Sequence, residues 1–230
     1  GGAGIGIAQA FEREPFVRRV LVDQHQPVGG FGDFAVFSFN GNKTVTAGGG
    51  GMLVTDDGDT AAHMRRLSAQ ARGAAAYRYD EVAFNYRMTN IQAAIGLAQF
   101  ERIDELAAMR RANAKLYNQL LGDVTGIRIP VEKSWARNVY WMYSILIEEE
   151  FGITRDEVMA NLAESGIQTR AFFIPMHQQP AYHDIGLFKE GSYPVAEDIS
   201  LRGLYLPSGS GLDQKTIHYI CDTLSSLKRK

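Results

Sequence analysis

Between Phe31 and Asp57 two short apolar runs, Phe34 to Phe39 and Met52 to Thr55, flank a loop that carries a lysine and four consecutive glycines. That pattern predicts a strand, a loop and a second strand. Ala61, Met64 and Leu67 recur at helical spacing and predict a helix over Thr60 to Arg72, followed by a polar, aromatic-containing loop from Gly73 to Met88. Thr89 or Asn90 can cap a long helix in which Ile91, Ala94, Ile95, Ala98, Arg102 and Leu106 trace a mostly apolar face. With no proline before Pro130, that helix is expected to reach about Leu121. Gly122 to Gly126 reads as a break. Beyond it come strands over Ile127 to Ile129 and Tyr140 to Ile147, and a helix over Thr154 to Ser165 with Glu157 at the capping-box position. An extended run, Ile167 to Ile174, a helix over Val195 to Arg202 and an amphipathic helix over Asp213 to Lys228 complete the pattern. Gly1 to Gly30 has no clear period and predicts no element.

Composition narrows the function classes. The 230 residues allow one large domain or two small ones. A net charge of −2 supplies no basic field, so no nucleic-acid partner is expected. Cys221 is the sole cysteine, which excludes an internal disulfide, a CxxC pair and a cysteine-based zinc site, and it points to a reducing, cytoplasmic setting. There is no apolar run of the ~18 residues that crossing a bilayer needs. Gly1 to Phe11 lacks the flanks of a signal peptide, and neither a membrane partner nor export is expected. The histidines lack metal-ligand spacing, and no metal site is expected. Asp56, Asp57 and Asp59 read as a solvated turn, and Trp135 and Trp141 as packing of the second half.

Lys43 is the residue with the most chemistry. It follows a strand-like run, stands beside Gly41 and Asn42 and precedes the glycine cluster, so its amine can be held against a flat ligand. Desolvation or a nearby cation lowers a lysine pKa from about 10.4 toward a nucleophilic amine. Ser38 lies close enough before it to donate a hydroxyl to an anionic phosphate while the lysine reaches an aldehyde. On spacing alone, a solvated lysine on a hairpin loop remains the competing reading. Further on, Arg170 suits a carboxylate or diphosphate, and Phe172 and Phe173 suit a base or sugar. Strand alternation places Arg170 and Phe172 on one face and Phe173 on the other. His177 is a substrate-binding candidate whose neighbours suit a hydrogen-bonded structural histidine equally.

The strings SFNGNKTVTAGGGGMLVTDD and FNYRMTNIQAAIGLAQFERID, followed by IQTRAFFIPMHQQPAY and RGLYLPSG, resemble the DegT/StrS-type sugar aminotransferases, a branch of the fold-type I pyridoxal-phosphate enzymes. The ordered matches run from about Val28 to the C-terminus. The resemblance implies an α/β chain. Residues 1–112 would be the C-terminal portion of the large PLP-binding domain, and 113–230 a smaller α+β domain. It implies pyridoxal 5'-phosphate as cofactor, with Lys43 as the Schiff-base lysine and proton shuttle and Ser38 on the phosphate. Asn85 of the NYRMT motif would reach the phosphate of a neighbouring subunit, so a homodimer or higher assembly follows. It further implies an amino group passed from glutamate to a nucleotide-linked keto-sugar. The RAFFIPMHQQP wording is most similar to the branch that aminates the 4-keto group of GDP-4-keto-6-deoxymannose in perosamine synthesis.

Two departures accompany the resemblance. The family reads GEGG where this chain has Gly49 in place of the glutamate. The family's aspartate for the pyridine nitrogen belongs nearly thirty residues before the lysine, where this chain reads FEREPFVRRV. Glu14 is the nearest carboxylate there, and Asp23 stands too close to Lys43. A complete family member is longer at its start, so a shortened chain is expected. A catalytically silent binding or regulatory relative is therefore the alternative function. A PLP-dependent sugar dehydratase is a third, which Lys43 argues against, because histidine stands at that position in such enzymes.

Overall fold

A computed structural model describes residues 22–23, 26–188 and 191–229. Glu14 and most of the opening segment lie outside them, but the end of that segment, expected to hold no element, carries two short strands and a turn. The chain divides into two compact units, residues up to 107 with 132–138, and 108–131 with 139 onward.

In the first unit β1 (Val22–Asp23) pairs antiparallel with β2 (Gln26–Pro27), ahead of a short 3-10 turn, Val28–Gly30. The predicted pair of strands is present as β3 (Ala35–Ser38) and β4 (Gly51–Val54), antiparallel with Ala35 opposite Val54 and Ser38 opposite Gly51. Helix α1 (Gly58–Ser68) starts at Asp57, whose carboxylate accepts from the Asp59 N–H at 3.0 Å and the Thr60 hydroxyl at 2.6 Å. The predicted helix end at Arg72 is too late. Gln70 and Ala71 take positive φ values of 70° and 46°, and the chain turns back so that Ala69 bridges Asn85 and Arg72 bridges Tyr79.

Thr89 caps α2 (Asn90–Glu101) in a reciprocal capping box with Gln92. The single long helix expected to Leu121 is two, because Arg102 leaves helical geometry (φ −105°, ψ 15°) before α3 (Ile103–Leu121) begins. Its apolar face also differs from the expected one. Ala93, Gly96, Phe100 and Ile103 are buried, whereas Ile91 and Ile95 are 75% and 48% exposed. The buried set keeps its three- and four-residue spacing through Arg102, so periodicity gives no sign of the break.

The second unit holds a fully antiparallel sheet in the order β5 (Ile127–Arg128), β6 (Tyr143–Ile147), β8 (Gly203–Leu206), β7 (Arg170–Ala171). Alternation along β6 buries Tyr143, Ile145 and Ile147. These pack in one cluster with Leu204 and Leu206, with Tyr117 and Leu121 of α3, and with Val158 and Leu162 of α4 (Arg155–Glu164). The same cluster takes Ile217, Ile220, Cys221 and Leu224 of α7 (Gln214–Ser226). Each such side chain contributes about 1.5–3 kcal/mol on burial. Thr154 and Glu157 form the predicted capping box of α4. Between β7 and β8 lie a 3-10 turn (Met176–Gln178), α5 (Pro180–Asp184) and α6 (Pro194–Arg202). Trp141 is half-buried in this unit, whereas Trp135, expected to pack the same part of the chain, belongs to the first unit and is 54% exposed.

Candidate active site

The loop between β3 and β4 is folded back on itself and pinned at both ends. The Phe39 N–H donates to Gly50 O at 3.0 Å, while the Ala47 N–H and Thr46 Oγ1 donate to Phe39 O at 3.0 and 3.2 Å. Phe39, Val45 and Ala47 are buried with Phe100 and Ile103. Half-buried Lys43 thus stands on a short turn, its N–H bonded to Asn40 O at 3.0 Å, between two anchored flanks. Gly48 and Gly50 adopt φ values of 76° and 89°, a region that favours glycine. Gly49 between them does not, and a Cβ there would stand 3.7 Å from Gln92 Nε2, ordinary van der Waals contact. The backbone therefore accepts a side chain at 49, and glycine in place of the family's glutamate changes no fold requirement.

Ser38 is the exposed last residue of β3 on the same loop. Its Oγ accepts the Asn40 N–H at 3.3 Å, which leaves the hydroxyl proton to donate elsewhere. Asn85 lies in the same unit, exposed on the strand-like return that bridges Ala69, between Phe84 and Tyr86, whose rings stack at 4.7 Å.

Arg170 and His177 belong to the second unit. Arg170 is exposed on the edge strand β7, opposite Tyr205. The Phe172 ring stacks on Tyr205 at 4.5 Å, and Phe173 also reaches that ring at 6.0 Å, tilted by 53°. The expected alternation stops at Ala171, where β7 ends, so both phenylalanines meet one tyrosine. His177 is buried, with Nε2 at 2.9 Å from Glu197 Oε1 and its ring against Tyr193 at 4.6 Å. Glu197 stands in no motif, and Tyr205 lies within RGLYLPSG without any spacing that ties it to the RAFFIPMH run; only the α6 and β8 packing brings the two there.

The DegT/DnrJ/EryC1/StrS aminotransferase family model matches residues 21–225. The chain belongs to this family. It is 42% identical over 202 residues to "GDP-perosamine synthase" of Caulobacter vibrioides, covering 86% of this chain and 53% of the relative. It is 38% identical to "Putative pyridoxal phosphate-dependent aminotransferase EpsN" of Bacillus subtilis, covering 81% of this chain and 48% of that protein. The chain thus spans about half the length of the curated relatives it matches. Among solved structures, the aminotransferase TlmJ of Streptoalloteichus hindustanus superposes with a TM-score of 0.81 at 27% identity, over 90% of this chain and 54% of TlmJ. The mixed α/β fold is that of these sugar aminotransferases, as the motifs led one to expect. The family's cofactor is pyridoxal phosphate. An amine and a hydroxyl with a proton to give, on one glycine-flanked loop, fit the aldehyde and phosphate ends of that molecule. No helix among the described residues is long and apolar enough to cross a membrane.

Proposed function

We propose that this chain carries the lysine-bearing part of a PLP-dependent aminotransferase acting on a nucleotide-linked keto-sugar. The observation that carries the reading is the anchored loop on which Lys43 and the donor-competent Ser38 sit together. Pyridoxal phosphate, when bound, supplies the electron sink for moving an amino group. Lys43 would hold the aldehyde end and move the proton between the amino donor's α-carbon and the cofactor. Ser38 would donate to the phosphate. Asn85 would serve the phosphate of a second copy, and the exposed Tyr77, Tyr86, Ile91 and Ile95 of the same unit support a homodimer that covers them. The 112/113 boundary is read as the division between large and small domains, with the Arg170 face of the latter meeting the anionic part of the substrate. His177 would contribute through the segment it holds. Similarity to perosamine synthases favours a GDP-4-keto-6-deoxymannose type of substrate, glutamate as donor, and a cytoplasmic setting.

The test is the absorbance of the purified chain after addition of pyridoxal phosphate, repeated with Lys43→Ala and followed by borohydride reduction and peptide mass analysis. A visible band lost in the variant, with the reduced adduct on Lys43, is expected. No band and no adduct in either protein would favour the silent-relative reading.

A further inference from the structure

His177 is buried, only 8% exposed. Its Nε2 meets Glu197 Oε1 at 2.9 Å, and the same oxygen accepts the Tyr193 N–H at 2.9 Å. These two bonds hold the Glu197 carboxyl below its ordinary range, the backbone donor contributing first and the imidazole second. An ionised carboxylate can only accept, so the imidazole nitrogen facing it must donate. Two further titratable side chains lie against His177: Tyr193, whose ring stands 4.6 Å from the imidazole, and His183, whose Nε2 lies 2.5 Å from the His177 carbonyl and must donate to it.

One turn further along α6, Ser200 Oγ donates to Phe173 O at 3.0 Å, and Gln179 Nε2 donates to Ile174 O at 3.2 Å. Three backbone carbonyls of the run, those of Phe173, Ile174 and His177, thus meet side-chain donors, the first of them from α6, and the His177 imidazole adds a fourth tie to Glu197 on α6. Its side chains face the other way: Phe173, Ile174 and Met176 are 60%, 60% and 57% exposed.

We propose that Glu197 is a positioning residue, which keeps the His177 proton on Nε2 and fixes the run from Phe173 to Met176 so that its side chains are presented in one conformation. The arrangement does not depend on a cofactor, so its test stands apart from that of the aminotransferase reading. Glu197→Gln retains size but replaces the carboxylate by a neutral amide.

The experiment compares amide hydrogen exchange of the full chain with that of Glu197→Gln and Glu197→Asp, and records the imidazole nitrogen signals of His177 by NMR. In Glu197→Gln, exchange across residues 172–183 should quicken about ten-fold or more, as loss of a charge-assisted bond implies, while Tyr143–Ile147 keeps its protection. The Nε2–H signature should weaken in Glu197→Gln and be retained in part in Glu197→Asp. Unchanged exchange and an unchanged imidazole signature would overturn the proposal. So would an equal loss of protection in the segment and in β6, which would mark Glu197 as a general stabiliser of the unit.

Discussion

The phenol of Tyr117 donates to the carbonyl of Pro207 at 2.8 Å. Two other residues on the same face of α3 treat the next carbonyls alike: Arg110 Nη1 donates to Ser208 O at 3.2 Å, and Asn113 Nδ2 donates to Gly209 O at 3.1 Å. The chain leaves β8 at Pro207, so these carbonyls have no strand partner, and the helix replaces the ladder they lack. The Tyr117 ring meanwhile stacks on Tyr143 at 4.5 Å, and the Tyr143 hydroxyl donates to Asn118 Oδ1 at 2.7 Å. Burial pushes both phenols above their ordinary range, so they remain donors at any pH the fold tolerates.

Tyr117→Phe should therefore keep the ring stack and lose only the bond to Pro207, leaving a carbonyl without its partner. The expected cost is about 1–2 kcal/mol, read as a lower urea midpoint with an unchanged slope. A midpoint equal to that of the unaltered chain would mean that water replaces the phenol at no loss.

How far the sequence foretold this molecule depended on whether the deciding interaction was local. The cap of α4 was readable because Thr154 and Glu157 stand three residues apart and bond to each other's backbone. The Lys43 loop was readable because its motif is contiguous. The break at Arg102 was not, since the buried stripe passes through it in phase, and α2 is apolar on two sides, so periodicity picked the exposed one. The pairing of His177 with Glu197 spans twenty residues and depends on where α6 lands, which no spacing rule reaches.

The glycines of the lysine loop should differ sharply in tolerance. A Cβ at Gly51 would come within 2.7 Å of Phe37 O, on the neighbouring strand. Gly51→Ala should therefore force β3 and β4 apart at about 1–3 kcal/mol. Gly49→Ala meets ordinary contact distances and should be neutral or stabilising by about 0.4–1 kcal/mol. Thermal unfolding of the two variants side by side decides it, and equal losses would show that the 2.7 Å contact is relieved without strain.

Arg202 joins two carboxylates on separate elements. Its guanidinium meets Glu148 at the end of β6 and, through two nitrogens, Asp198 on its own helix. Arg128 Nε also reaches Glu148, at 2.6 Å. Asp198 is held below the usual carboxylate range by Arg202, first through their hydrogen bond. Arg202→Leu should cost about 1–3 kcal/mol, less than the fully buried case because Arg128 still partners Glu148 and the side chains keep some water contact. Urea unfolding at low and high salt checks both parts. A loss that vanishes entirely in high salt would make this a surface pair with no structural role.

Cys221 lies in the α7 stripe, 2% exposed, and burial pushes its thiol up from an ordinary value of 9.0 to about 12. A folded-state pKa above the unfolded one means the protonated thiol is the form that folding favours. The associated stability is fully present below about 9 and is lost as pH rises through about 12. Across neutral pH, Cys221 should therefore contribute no pH dependence, and destabilisation should begin only on the alkaline side. The same burial withholds the thiolate from reagents. At mildly alkaline pH a maleimide should label the urea-unfolded chain at once and the native chain only as fast as α7 opens. Labelling of the native chain at the free-thiol rate would show that Ile217, Ile220 and Leu224 do not hold that helix closed.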